Sequence, residues 1–167
     1  MKKIIKMEML NKRESLSKEY CIDYSNRLVD KIKQLPIYKN LNTIAIFYPL
    51  NNEINLLNLN DKRICFPKVI NKDMLFYENT NKFEKGPFNI MEPLSNIIVD
   101  KEEIDAIFIP LLAYDSRLHR IGYGKGYYDR YLKDYKGLKI GVAYPFMKVP
   151  YISNNEFDVA LDMVVVL

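Results

Sequence analysis

The chain has 167 residues, the length of one domain, and its 49% hydrophobic and 28% charged residues exclude wholesale disorder. Its two cysteines lack the spacing of a disulfide framework or a metal site, and no apolar stretch reaches the length of a membrane span. The net charge of +4 fits an anionic partner, although a modest excess of lysine is also common on solvated surfaces. We therefore expect a single cytoplasmic domain spanning residues 1–167, with no membrane partner.

Two amphipathic helices are predicted at the start of the chain. The first is short and basic; it covers roughly residues 2–12, and its lysines at 2 and 6 lie one turn apart on the same face. The second begins after Ser17, a typical N-cap residue, and ends before Pro36. Its apolar residues have helical spacing and are Tyr20, Tyr24, Leu28, Ile32 and Leu35.

Short apolar runs of the strand type follow the helices. They are rich in isoleucine, valine and phenylalanine, which is typical of strands buried on both faces of a mainly parallel sheet. The runs cover residues 43–49, 63–67, 104–110, 139–145 and 163–167. Helical stretches are predicted between several of them, around 54–60 and 126–135. This alternation favours an α/β fold with three layers, in which helices flank a mainly parallel central sheet.

Proline closes four of these five runs. Because proline cannot extend a strand ladder, we expect each one to mark the carboxyl end of a strand. These residues are Pro49, Pro67, Pro110 and Pro145. Open α/β sheets bind ligands at this edge, so the sequence predicts the functional site just beyond these prolines.

The region between residues 68 and 103 is less regular. The stretch "VINKDMLFYE" indicates a hairpin, whereas "KGPFNIMEP" at 85–93 is a loop that no periodicity explains. Long loops inside compact domains are often binding loops or lids.

Residues 120–132, "RIGYGKGYYDRYL", form the most unusual stretch of the chain. Gly122, Gly124 and Gly126 fall at alternate positions just before a predicted helix, where free backbone N–H groups can hold an anion, typically phosphate. Lys125 adds a point charge, and Arg120 adds a fork that suits phosphate oxygens. The structural alternative is a tight turn that carries surface charges.

Two common nucleotide motifs do not describe this stretch. The P-loop pattern requires a serine or threonine after Gly-Lys, and the dinucleotide fingerprint places its third glycine later. The residue that strengthens the phosphate interpretation is Asp129, because a carboxylate oxygen suits magnesium, the usual companion of a nucleotide phosphate.

The same stretch resembles the signature of the 5-formyltetrahydrofolate cyclo-ligase family, Arg-Leu-Gly-x-Gly-x-Gly-Tyr-Tyr-Asp, with Ile121 replacing the leucine. The resemblance extends along nearly the whole chain and includes "IPLLAYD" at 109–115, "NNEFDVALD" near the end and the 85–93 loop. It implies an ATP- and magnesium-dependent ring closure of 5-formyltetrahydrofolate to 5,10-methenyltetrahydrofolate. Its small-molecule partners would be ATP and the folate, which can carry a polyglutamate tail, and the enzyme would be a monomer.

The resemblance also implies ligand roles for particular residues. The residues matching ATP contacts are Lys2, Lys6, Arg120, Gly122, Gly124, Lys125, Gly126, Tyr127 and Tyr128, of which Lys125 and Arg120 would be catalytic. Those matching folate contacts are Tyr48, Glu53, Tyr123 and Tyr127, and those matching magnesium ligands are Asp129 and Asp158. Two positions depart from the family pattern: Lys6 stands where the family has arginine, and Leu118 stands where many relatives have glycine.

A second class of function also fits the composition. A basic domain with 13 tyrosines could be a nucleotide- or RNA-binding module without catalysis, because basic patches interleaved with aromatic residues bind nucleic acid. That alternative does not explain carboxylates placed among phosphates, so we expect no nucleic-acid partner. The single histidine, His119, is more typical of a solvated loop residue than of a general base.

Overall fold

The computed structural model describes all 167 residues as three α-helices and ten strands, several of them very short. The helices are α1 (Lys2–Glu14), α2 (Lys18–Gln34) and α3 (Tyr127–Leu132). The first five strands are β1 (Thr43–Ala45), β2 (Arg63–Ile70), β3 (Asp73–Glu78), β4 (Phe83–Lys85) and β5 (Met91–Pro93). The later strands are β6 (Ala106–Pro110), β7 (Ala113–Tyr114), β8 (Arg120–Ile121), β9 (Leu138–Val142) and β10 (Met163–Val165).

A six-stranded sheet in the order β10-β9-β6-β1-β2-β3 forms the centre of the domain. Every neighbouring pair is parallel except β2 and β3, which are antiparallel. The central strands β1 and β6 are buried except at Pro110, as their continuous apolar runs predicted; Ile107 and Ile109 of β6 have no exposed surface. The predicted α/β fold with a mainly parallel sheet is therefore confirmed.

The two N-terminal helices form close to their predicted bounds. Ser17 accepts a hydrogen bond from the backbone N–H of Tyr20 and so caps α2, while Pro36 begins a short 3-10 helix after α2 ends. Leu28 and Ile32 are completely buried, whereas Tyr20 is exposed at the edge of the predicted apolar face. None of the helices is long and apolar enough to cross a bilayer.

The helix predicted at 54–60 does not form. Asparagine side chains compete there for backbone groups: Asn55 Oδ1 accepts the N–H of Leu57, and the N–H of Asn55 itself donates to Ser25 Oγ. The apolar residues Ile54 and Leu56 are still buried, but from turns. The crossover from β1 to β2 consequently lacks a helix.

The prediction that Pro67 ends a strand is also wrong. Pro67 lies inside β2 and pairs with Phe76 of β3. It is tolerated because β1 pairs with β2 only as far as Cys65, so the other edge of β2 needs no backbone donor at Pro67. Pro110, by contrast, is the last residue of β6, and Pro145 follows the end of β9.

The irregular region between residues 68 and 103 contains two hairpins. The predicted hairpin is confirmed as β2 and β3, which turn at Asn71 with a positive φ of 58°. The 85–93 stretch is not a plain loop, because β4 and β5 pair across a short 3-10 helix. We call residues 83–93 the strap; Glu92 fixes it to β2 by accepting the N–H of Val69.

Candidate active site

A single cavity of about 830 Å³ lies against the strap, the N-terminal part of α1 and the glycine-rich segment 120–126. Every residue for which the sequence predicted a ligand role lies on its lining. These residues are Lys2, Lys6, Tyr48, Glu53, Arg120, Gly122, Tyr123, Gly124, Lys125, Gly126, Tyr127, Tyr128, Asp129 and Asp158. Pro110 also lines the cavity, so it opens at the carboxyl end of a central strand.

The glycine-rich segment connects β8 to α3. Gly124 and Gly126 have φ values of 92° and 73°, which are strained for any other residue, and Gly126 is the N-cap of α3. Gly122 has open space where a Cβ atom would lie. Helix α3 is only six residues long and ends before residue 135, the predicted end. Because the dipole of so short a helix is weak, side-chain cations must supply much of the positive charge here.

Lysine side chains from α1 reach across to this segment. Lys6 Nζ donates to the carbonyl oxygen of Tyr123 at 2.7 Å, and Lys2 Nζ forms an ion pair with Asp158 at 3.2 Å. Lys125 Nζ lies 5.2 Å from the centroid of the Phe88 ring and forms no ion pair with a carboxylate. We refer to Lys2, Lys6, Arg120 and residues 122–126 together as the basic wall.

Arg120 organises the two carboxylates beside the basic wall. It donates one hydrogen bond to Asp129 Oδ1 at 3.0 Å and another to the carbonyl of Val159 at 2.8 Å. The N–H of Val159 also donates to Asp129 Oδ1, which brings Asp129 next to Asp158. Asp129 Oδ2 and Asp158 Oδ1 accept no hydrogen bond from the protein.

Asp129 and Asp158 fit a magnesium ion that also binds phosphate. They are two carboxylates with one free oxygen each, and no group of three or more acidic, cysteine or histidine side chains exists that could form an all-protein metal cage. Magnesium commonly uses one or two carboxylates and completes its shell with phosphate and water. Burial opposes ionisation of Asp158, but the Asn155 N–H and the Lys2 ammonium together lower its pKa below the ordinary value.

Glu53 lies at the other end of the cavity and is almost completely buried. Its Oε1 accepts the N–H of Leu50 at 2.7 Å, and its Oε2 accepts the hydroxyl of Tyr123 at 2.6 Å. Arg13 lies 3.8 Å from the same Oε2. Burial raises the pKa of Glu53, while these three partners act in the opposite direction. We call Arg13, Glu53 and Tyr123 the Glu53 cluster.

Comparison with known proteins explains this combination of groups. The sequence model of the 5-formyltetrahydrofolate cyclo-ligase family matches residues 1–167. The chain belongs to the 5-formyltetrahydrofolate cyclo-ligase family. A 5-formyltetrahydrofolate cyclo-ligase of Mycoplasma genitalium is 36% identical over 139 residues, which are 78% of this chain and 73% of that protein.

Solved structures of relatives have the same fold. The NMR structure of the 5,10-methenyltetrahydrofolate synthetase of Aquifex aeolicus is 34% identical and superimposes with a TM-score of 0.87, covering 99% of this chain and 89% of the relative. The corresponding synthetase of Mycoplasma pneumoniae is 28% identical and gives a TM-score of 0.80, with 98% and 97% of the two chains covered.

One position that departs from the family pattern, Leu118, has a backbone conformation that is unfavourable for leucine. Leu118 has a φ of 65°, in the left-handed region that favours glycine, the residue that the resemblance implied for this position. His119 follows it and lies outside the cavity lining, and its side chain is largely buried beside Asp115 rather than solvated as predicted. Neither residue contacts the candidate site of this cyclo-ligase family member.

Sequence reasoning missed Arg13 and the aromatic side chains of the strap. Arg13 was not considered, although it lies seven residues after Lys6 and therefore on the same face of α1. The strap contributes Phe88, whose ring lies 6.4 Å from that of Tyr127, and Phe83, which packs on Tyr48 at 4.9 Å. The sequence indicated the strap only as an irregular loop that resembles a family segment, and its aromatic residues did not reveal what they cover.

Proposed function

We propose that this protein catalyses the ATP- and magnesium-dependent cyclisation of 5-formyltetrahydrofolate to 5,10-methenyltetrahydrofolate, releasing ADP and phosphate. The observation that carries the proposal is that one cavity combines a buried carboxylate at one end with a basic, glycine-lined wall and two acidic side chains at the other. The first suits the N–H edge of a pterin, and the second suits the triphosphate of magnesium-ATP. Family membership supports this pairing of substrates.

The reaction needs ATP because the formyl group on nitrogen 5 is an amide, a poor electrophile with a poor leaving group. In the proposed first step, the formyl oxygen attacks the γ-phosphorus, and the bond to ADP breaks. Nitrogen 10 then attacks the activated carbon, loses its proton, and expels phosphate to leave the methenyl bridge. Phosphoryl transfer of this kind requires positioning and charge stabilisation more than a covalent nucleophile.

The basic wall would supply that stabilisation. Lys125 carries no carboxylate partner, so its ammonium is free to neutralise charge that develops on the transferred phosphoryl group. Lys2 and Lys6 would neutralise further phosphate charge, and Arg120 would keep Asp129 oriented through their 3.0 Å hydrogen bond. Asp129 and Asp158 would hold magnesium, which when bound shields the phosphate oxygens from one another.

The aromatic lining would position the folate. Tyr48 and Tyr127 lie on the cavity beside Phe83 and Phe88 of the strap, and flat rings of this kind stack on a pterin. Tyr128 lines the cavity between the two ends, and burial raises the pKa of its hydroxyl, which therefore remains a hydrogen-bond donor. We also propose, as the family resemblance implies, that the enzyme acts as a monomer.

The test is a direct assay of the product. The purified protein is mixed with magnesium-ATP and 5-formyltetrahydrofolate, and the methenyl absorbance band is followed with and without ATP. We expect an ATP-dependent rise that chelation of magnesium abolishes. Absence of the rise contradicts the proposal, and salt-sensitive binding of RNA in its place would favour the non-catalytic binding module.

A further inference from the structure

Two side chains of helix α1 form hydrogen bonds with Tyr123, one with its backbone and one with its hydroxyl. Lys6 Nζ donates to the main-chain carbonyl of Tyr123 at 2.7 Å, and Arg13 Nη1 donates to its hydroxyl at 2.5 Å. The two cations are seven residues apart, which is two helical turns, so they project from the same face of α1. Tyr123, whose backbone belongs to the basic wall and whose side chain reaches Glu53, is therefore held by the same helix that carries Lys2 and Lys6.

The Tyr123 hydroxyl in turn orients the carboxylate of Glu53. It accepts from Arg13 and donates to Glu53 Oε2 at 2.6 Å, so the three groups form a directional chain from guanidinium to carboxylate. The N–H of Leu50 holds the other oxygen of Glu53 at 2.7 Å. A carboxylate fixed at both oxygens has one orientation, which is what recognition of a flat, bidentate donor edge requires.

Arg13 has few other interactions to explain its presence. Its side chain is only 6% exposed, its sole ion pair is with Glu53, and its Nε atom is buried without a hydrogen-bond partner. A guanidinium removed from water is costly unless a partner of opposite charge compensates it. A residue that served only to fill space at the end of α1 would not need to be charged.

We propose that Arg13 is a positioning residue for the folate, acting through Tyr123 to fix the Glu53 carboxylate that receives the pterin edge; this rests on the proposed function. Arg13 does not line the large cavity, so its effect on the substrate passes through the other two members of the Glu53 cluster. The hydrogen bonds from Arg13 through Tyr123 to Glu53 also connect the two ends of the cavity, because Tyr123 belongs to the basic wall and Glu53 lies at the pterin end.

The central experiment replaces Arg13 by methionine, which keeps the length of the side chain and removes the charge and the donors. We expect the KM for 5-formyltetrahydrofolate to rise about tenfold or more, as for loss of a charged hydrogen-bond partner. The KM for ATP should change by less than about twofold, because the residues that would bind the phosphates of ATP are unchanged. The matched control is Lys12→Met, which removes the neighbouring, exposed cation of α1 and should leave both constants unchanged.

The pH profile separates positioning from a structural effect. The charged and titratable groups around Glu53 are Arg13 of α1, Tyr123, Tyr128 of α3 and Tyr144 after β9. Removing the cation raises the pKa of Glu53 further, so the acid limb of kcat/KM for the folate should move to higher pH in Arg13→Met. Arg13→Lys should return the limb towards that of the wild type, because it restores the charge. A purely structural role for Arg13 would not move this limb.

Folate binding measured without turnover completes the test. Titration calorimetry with 5-formyltetrahydrofolate alone should show weaker binding in the order wild type, Tyr123→Phe, Arg13→Met. Equal affinity of the wild type and Arg13→Met overturns the inference. A wild-type protein that binds the folate but gives no ATP-dependent product contradicts the proposed function instead, and leaves the affinity comparison valid. If Arg13→Met does not fold, Tyr123→Phe and Arg13→Lys carry the same comparison.

Discussion

The two ends of the cavity hold their charges in different ways. At the basic wall, most charged side chains are partly exposed: Lys2 is 41% exposed and its ion-pair partner Asp158 is 26% exposed, and only Arg120, at 7%, is buried. In the Glu53 cluster, Arg13 and Glu53 are 6% and 8% exposed. Solvated charges can be removed at little cost to the fold, whereas a buried pair cannot lose one partner without leaving the other unpaired. Substitutions at the two ends should therefore separate turnover from stability.

The largest expected effect is at the basic wall. Lys125→Ala should lower kcat by about two to three orders of magnitude, since it removes a donor that acts on developing charge. The midpoint of thermal unfolding should stay within a few degrees of the wild type, because Lys125 makes no ion pair. Steady-state kinetics and a thermal melt check both statements, with Lys133→Ala as an exposed-lysine control from the end of α3. Near-normal turnover in folded Lys125→Ala would remove this residue from the mechanism.

The opposite pattern is expected at the pterin end. Glu53→Ala should raise the KM for the folate at least about tenfold while the KM for ATP changes little. It should also lower the free energy of unfolding by about 3 kcal/mol, because it strands the buried Arg13 guanidinium. Denaturant unfolding measured beside kinetics tests the pair of effects. If the folate constant stays at the wild-type value, Glu53 is not a folate ligand.

A comparison of two glycines sharpens the distinction within the basic wall. Gly122→Ala should leave the free energy of unfolding within about 0.5 kcal/mol of the wild type, because the added methyl group meets open space. The same methyl group lies on the cavity lining, so the KM for ATP should rise. Gly124→Ala should cost about 1 kcal/mol of stability, since its φ is 92°. An unchanged KM in Gly122→Ala would mean that the phosphates do not approach this residue.

The smallest effect concerns the pH dependence of stability. The pKa of Asp158 is lowered in the folded protein, so its contribution is present above its ordinary value of 3.8 and is lost as the pH falls through the folded value. For a partly exposed ion pair this contribution is about 0.5 kcal/mol. Asp158→Asn should therefore show a slightly flatter decline in the free energy of unfolding between pH 5 and pH 3, measured in urea. A decline as steep as that of the wild type would contradict the assignment.

Much of the candidate site was predictable from short stretches of sequence. The segment "RIGYGKGYYDRYL" carries its chemistry within 13 contiguous residues, and the lysines at 2 and 6 share a helix face by spacing alone. Arg13 has the same helical phase, but nothing local shows that its partner is a carboxylate 40 residues later. The two wrong predictions, a helix at 54–60 and a strand end at Pro67, have a similar cause. Hydrogen bonds of Asn55 replace the helix at 54–60, and the short pairing of β1 with β2 lets Pro67 lie inside β2.

The sequence by itself determined the α/β class, the two N-terminal helices and the family, because these follow from local periodicity and from a contiguous motif. Only the tertiary structure decided that the strap closes one side of the cavity and that α1 fixes both ends of Tyr123. The physical reason is that these contacts join segments distant in sequence, where burial and hydrogen-bond geometry depend on how the whole chain packs. Folding thus turns Glu53, an ordinary acid near a turn in the sequence, into a buried and oriented acceptor.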